Sequence, residues 1–185
     1  PLASSDICYQ PLNQLRDLDF FFVGSFSIND SAGFLRAYIL SNIPSKYKIE
    51  IYGPGINYFR NIYSGLKNFN CYDKNISESD VNKHWNRSKL TAVIYHPQVI
   101  NGISPRVFDA ALTKTPQIIQ YTSTIQELFP GIKLPIFESV SEFSEKVEYY
   151  LTHPKEREEL AEAMFEMVKN RHLFIHRVEK IIELL

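Results

Sequence analysis

"LTAVIYHPQVINGISPRVFDAALTKTPQIIQY", residues 90–121, sets two β-branched and apolar runs, 90–95 and 116–121, on either side of a helix-like span from Pro105 to Lys114. Neither run alternates strictly between apolar and polar residues. Strands that are apolar on both faces belong in a sheet covered on both sides, and two of them joined by a helix form a βαβ unit with parallel strands. The rhythm extends outward in both directions. Strand-like runs recur at "FFFV" (20–23), "KIEIY" (48–52), "NCYDKNI" (70–76) and "LPIF" (134–137), and helical patterns occupy Ser31 to Ser41, Ile56 to Leu66, Glu78 to Ser88 and Ser141 to Leu151. Ser77, three residues before Asp80, and Ser104, just before Pro105, are helix start signals.

This alternation predicts an α/β fold, a doubly wound, Rossmann-like parallel sheet of about six strands. After Pro154 the chain turns charged and helical, with Leu160, Met164 and Val168 at helical spacing, and a break near Asn170 divides that stretch into two C-terminal helices. There is no repeat and no linker, so residues 1–185 are expected to form one domain. With 185 residues, 44% of them hydrophobic, the chain can bury one substantial core but scarcely two.

A formal charge of -1 does not suggest a polyanion-coating surface, so nucleic acid is not an expected partner. Cys8 and Cys71 match no metal or redox spacing, which suits a reducing compartment and predicts a cytoplasmic protein. The longest apolar runs fall far below the roughly 18 residues that cross a bilayer, so no transmembrane segment is expected. The chain starts at Pro1-Leu2 and not at Met, and it enters its first strand with little preamble. It therefore reads as a piece of something longer.

In a doubly wound sheet, ligands sit beyond the carboxyl ends of the strands, where the strand order reverses. The loops expected there are Gly24 to Asp30, Gly53 to Gly55, His96 to Ser104 and Thr122 to Thr124. Ser104 can cap a helix that begins at Pro105 and leave free N–H groups, which together with the helix dipole favour phosphate. Arg106 adds a planar fork that matches two phosphate oxygens. Asp109, one turn further on, can accept hydrogen bonds from vicinal sugar hydroxyls. The alternative is an ordinary i,i+3 ion pair between Arg106 and Asp109 on a solvated face.

Gly24 can let backbone approach a ligand or can serve plain turn chemistry. His96 can touch phosphate or simply close its strand. Thr124 and Glu127 have the spacing of a capping box. Asp17-Leu18-Asp19 has an acidic pattern used to hold metals but precedes its strand, at the wrong end of the sheet. His172 and His176 lack the glutamate of a zinc protease helix, so no metal site is expected.

The segments "SPRVFDAALTKTPQII" and "LPIFESVSEFSEKVEYYLTHPKEREELAEAMFEMVKNRHLFIHRVEKI", preceded by "PLASSDICYQP" and "DFFFVGSFS", resemble the C-terminal half of a GT-B glycosyltransferase, particularly its CgeB-like group-1 branch. The resemblance implies a donor-binding domain that holds a nucleoside-diphosphate sugar, with no further cofactor, while an N-terminal domain absent from this chain supplies the acceptor side. It gives the ribose to Asp109 and the diphosphate to the helix start at Ser104 and Pro105, and it places the base near Tyr72, Asn75 and Ile76. A second acid usually stands eight residues before the ribose acid, where this chain has Asn101. A basic pair common after the first strand is missing from "GSFSINDSAG", which leaves Arg106, and after it Arg36, for the diphosphate. An epimerase or hydrolase of the same fold, or a binding module without catalysis, shares these features.

Overall fold

The computed structural model describes residues 3–184. Pro1 and Leu2, which open the chain, and Leu185 lie outside the described residues. Six strands, β1 (Leu18–Val23), β2 (Ile49–Tyr52), β3 (Asn70–Tyr72), β4 (Ser88–Val93), β5 (Gln117–Gln120) and β6 (Ile136–Phe137), form one sheet in the order β3-β2-β1-β4-β5-β6. Every pairing is parallel. All carboxyl ends therefore share one edge, and the order reverses between β1 and β4.

The "FFFV" run shows why continuous apolar strands were needed. Side chains alternate across a strand, so Phe21 joins the core on one face of the sheet while Phe20 and Phe22 join the core on the other. Helices α1 (Ser31–Leu40) and α2 (Ile56–Ile62) lie on the Phe20 side, and α3 (Glu78–Arg87) and α4 (Arg106–Leu112) lie on the Phe21 side. The short α5 (Ile125–Leu128) follows β5. Then come α6 (Val140–Thr152) on the Phe20 side, α7 (Pro154–Arg171) against α4, and α8 (Phe174–Ile182).

Several boundaries shift from the sequence pattern, some of them for a visible local reason. β3 stops at Tyr72 and not at Ile76, because the Asp73 carboxylate turns back to accept the Gly55 and Asn57 N–H groups at the start of α2. The helix expected over Ile56 to Leu66 divides at Tyr63, which is extended, and a 3-10 turn (Ser64–Asn68) follows. Ser and Gly at 64 and 65 are weak helix formers, which makes that break cheap. α4 begins at Arg106 and not at Pro105. The C-terminal break falls at His172, near Asn170 as expected, and there Leu173 is drawn into a parallel bridge with Ser4.

Residues 3–17 form an irregular strap ahead of β1, pinned along its length. The buried Asn82 and Asn86 of α3 accept from the Gln10 and Leu12 N–H groups, and Asn86 donates back to the Gln10 carbonyl at 2.9 Å. The Arg16 guanidinium donates to the Trp85, Ser88, Thr113 and Lys114 carbonyls and to the Thr115 hydroxyl. One cation thus takes up carbonyls at the ends of α3 and α4, where the helix dipoles favour positive charge.

Candidate functional site

At the carboxyl edge, the loop from Gly24 to Asp30 is held by close backbone approaches. A Cβ on Gly53 would stand 1.8 Å from the Gly24 carbonyl oxygen, and one on Gly33 would stand 2.0 Å from that of Ser27. Only glycine permits such contacts. Asp30 caps α1, its carboxylate accepting from the Ala32 and Gly33 N–H groups, and this sets the helix that carries Arg36. The Arg36 guanidinium lies across the switch point, donating to the Ser25 carbonyl at 2.8 Å and to the Ile94 carbonyl at 3.4 Å.

Three cavities line this edge. The first, about 260 Å³, lies between the ends of β1 and β4 and is walled by Gly24, Ser25, Arg36, Ile94, Ser104 and Arg106. A second, about 280 Å³, takes Arg36, His96, Val99, Gly102 and Ser104. The third, about 260 Å³, is formed by Tyr9, Ile76, Glu78, Ser104, Arg106 and Asp109. Ser104 borders all three, and Arg106 separates the purely basic cavity from the one that holds acids. A larger hollow of about 460 Å³ beside α8 mixes both signs, Arg171, Arg177 and Lys180 with Glu127, Glu179 and Glu183, and so presents no net demand for a charged ligand.

The charges around Arg106 are not cancelled locally. Among the described residues, neither Arg36 nor Arg106 is in a salt bridge, and the i,i+3 ion pair that the sequence permits with Asp109 is not formed. Arg106 lies instead over the Trp85 ring, 5.9 Å from its centroid. Burial lowers the Arg36 pKa against the opposing pull of Asp30, and the neighbouring Arg106 adds a smaller lowering. Two guanidiniums that repel one another in a partly desolvated cavity are stabilised by an anion with more than one charge.

Asp109 shows the complementary strain. Burial pushes its carboxyl up to about 6, against the pull of the Ser4 hydroxyl and Arg106, while Glu78 adds to the rise. The Ser4 hydroxyl donates to Asp109 Oδ1 at 2.6 Å. The other carboxylate oxygen has no hydrogen bond among the described residues, and Asp109 lines the third cavity. Such an oxygen suits a ligand hydroxyl.

The structure thus brings Ser104, Arg106, Asp109 and Gly24 to one edge, with Arg36 beside them. Asn101 stands apart from the cavities, its carbonyl groups accepting from the Ser123 and Thr124 hydroxyls at 2.7 Å and 2.9 Å. That contact corrects the capping-box expectation, because the Thr124 hydroxyl is turned toward Asn101 and makes no cap on α5. The expectation of free N–H groups at the start of α4 is also corrected. Ser104 Oγ accepts from the Arg106 N–H, the Ser104 carbonyl from Val107, and the Pro105 carbonyl from Phe108 and Asp109. Proline has no N–H to give, so the tight first turn uses its donors internally, and side chains are left to face an anion.

Ile76 lines the cavity beside Asp109, whereas Tyr72 stacks on Tyr52 with centroids 4.3 Å apart. His96 borders the second cavity and accepts the Gln98 N–H at Nδ1. Asp17 and Asp19 stand at the amino end of β1, paired with Arg87, Lys48 and Lys89. His172 stacks on Phe108 and bonds the Leu128 carbonyl, while His176 accepts the Leu173 N–H. Ser4, Tyr9 and Glu78 were not foreseen as parts of the site.

A family model described as "Glycosyl transferase-like" matches residues 34–183. By sequence, no curated protein matches the chain. Among solved structures, the chain superposes on sucrose-phosphate synthase from Thermosynechococcus elongatus with a TM-score of 0.78 at 12% identity, covering 100% of this chain and 50% of that one. The C-terminal domain of a group 1 family glycosyl transferase from Francisella tularensis gives 0.71 at 9% identity, covering 92% and 98%. T4 phage BGT in complex with its UDP-glucose substrate gives 0.66 at 14% identity, covering 87% and 46%. At such identities these likenesses establish a shared fold. The chain spans half the length of the first of these structures and nearly all of the isolated C-terminal domain.

Proposed function

The chain belongs to the glycosyl transferase-like family, and from that membership we propose that it is the donor-binding domain of a GT-B glycosyltransferase, holding a nucleoside-diphosphate sugar. The observation that carries this reading is the basic cavity at the switch point, where Arg36 and Arg106 converge without a carboxylate partner beside the acid-lined cavity of Asp109. The diphosphate takes the two guanidiniums, and the ribose takes Asp109. Ile76 offers an apolar wall for the base.

In this reading the glycosidic bond to the diphosphate breaks as an acceptor attacks, and negative charge grows on the departing phosphate oxygens. Preorganised cations in a partly desolvated cavity stabilise that charge more in the transition state than in the ground state. Arg36 and Arg106 supply this, so the reading requires no divalent metal. The acceptor, and any base that takes its proton, would come from a second domain facing this edge, in line with the length ratio to the sucrose-phosphate synthase chain. A cytoplasmic setting accords with the two free cysteines, and no helix among the described residues is long and apolar enough to cross a membrane.

Thermal melting of the chain with uridine, guanosine, adenosine and thymidine diphosphates, each with and without chelator, tests the reading. A ligand at 100 times its Kd should add about 2.7 kcal/mol, or roughly 5–10 °C at this size. A flat response to every diphosphate contradicts the reading, and a response abolished by chelator contradicts its independence from metal.

A further inference from the structure

The third cavity has one wall that the family match does not reach. Residues 34–183 are matched, yet Tyr9 of the strap lines the cavity together with Arg106 and Asp109. Its place is fixed. The ring packs on Trp85 with centroids 5.5 Å apart, and the next residue is tied to α3 through Asn82 and Asn86. The phenol oxygen makes no hydrogen bond among the described residues, and it lies within the fields of Asp109, Glu78 and Arg106. Burial, then the two carboxylates, push its pKa up to about 12. It is therefore a neutral hydroxyl at any physiological pH, able to donate and to accept.

Ser4 supplies the second half of the argument. Its hydroxyl occupies Asp109 Oδ1 at 2.6 Å, and the parallel bridge to Leu173 holds it there. An unencumbered carboxylate can receive both hydroxyls of a vicinal diol, one on each oxygen. In this chain one oxygen already accepts the Ser4 hydroxyl, and Tyr9, whose hydroxyl has no hydrogen bond among the described residues, lines the same cavity as Asp109.

Resting on the donor-site reading above, we propose that ribose recognition is divided, with Asp109 Oδ2 holding one of the 2′- and 3′-hydroxyls and Tyr9 Oη the other. The strap is then part of the ligand site, and Tyr9 is a specificity-determining residue that selects ribonucleotides over deoxynucleotides.

The probes are uridine, guanosine and adenosine diphosphates, their 2′-deoxy and 3′-deoxy forms, and inorganic pyrophosphate, titrated into the wild-type chain, Tyr9→Phe and Asp109→Asn. Phenylalanine keeps the ring against Trp85, and melting curves confirm that each variant is folded. Wild type should prefer the ribonucleotide over each deoxy form by about tenfold. Tyr9→Phe should abolish the preference against one deoxy form only, Asp109→Asn the preference against the other, and pyrophosphate should bind Tyr9→Phe as it binds wild type. Tyr9→Phe that keeps both preferences, or that weakens pyrophosphate as much as nucleotide, overturns the division of the ribose while leaving the donor site standing. Wild type that binds no diphosphate overturns both.

Discussion

The two edges of the sheet handle charge in opposite ways. At the amino edge the two carboxylates at the start of β1, Asp17 and Asp19, have found their complements. Asp17 receives two hydrogen bonds from Arg87 and one from Lys48, and Asp19 receives one from Lys89. These partners hold the Asp17 carboxyl well below the usual carboxylate range, with the Arg87 hydrogen bonds foremost. At the carboxyl edge Arg36 and Arg106 share a cavity without an acid in contact, and Asp109 is pushed the other way, up to about 6, chiefly by burial. Satisfied charges serve the fold. Charges left without a partner cost stability in the free protein, and groups perturbed in this way cluster at functional sites.

The contrast is tested most severely at Arg16, the most completely bonded cation near the amino edge. Arg16→Ala would leave several carbonyls at the ends of α3 and α4 without donors, and should cost about 3 kcal/mol or more in urea melts. Binding of nucleotide by the remaining folded protein should not change. A loss under about 1 kcal/mol would mean that the guanidinium is replaceable by water.

Asp109 should show the reverse sign. The folded carboxyl, at about 6, keeps its proton where the unfolded one, near 3.8, has lost it. Between those values the folded state binds more protons, so this group's contribution to stability falls as pH rises through the window. Asp109→Asn should therefore stabilise the free protein at pH 7.5 by about 1–2 kcal/mol and flatten the profile between pH 4 and 6. Nucleotide affinity, which needs the carboxylate, should fall as the pH drops below about 6. A destabilised Asp109→Asn with an unchanged pH profile would make Asp109 a structural residue.

The smallest effect is expected at the paired edge. Asp17→Asn removes the charge from two partly exposed ion pairs, with Arg87 and Lys48, and should cost about 0.2–1 kcal/mol for each, diminishing with added salt, with no effect on ligand affinity.

The fold was legible because buried parallel strands write themselves as apolar runs. The six strands and the main helices stand close to where the runs place them, while the four-residue α5 is too short to leave a pattern. The site was legible only where it is local. Arg106 and Asp109 lie within one turn of a helix start, and spacing points to both. Ser4 meets Asp109 across 105 residues of sequence, and Tyr9 reaches the same cavity from an irregular strap with no periodicity, so no short-range pattern encodes either. Thr124 and Glu127 show the opposite error, a correct spacing defeated by a tertiary partner, the Asn101 carbonyl.

Calorimetric titration of a nucleoside diphosphate and of inorganic pyrophosphate into wild type, Arg106→Ala and Asp109→Ala tests the central claim most directly. Arg106→Ala should weaken both ligands by about 10-fold to 150-fold, the loss of a charge-assisted contact worth about 1.5–3 kcal/mol, and should change stability by less than about 1 kcal/mol. Asp109→Ala should weaken the nucleotide by a similar factor and leave pyrophosphate untouched. Arg106→Ala that binds both ligands as wild type does would contradict the claim that the uncompensated charges of this edge await a diphosphate.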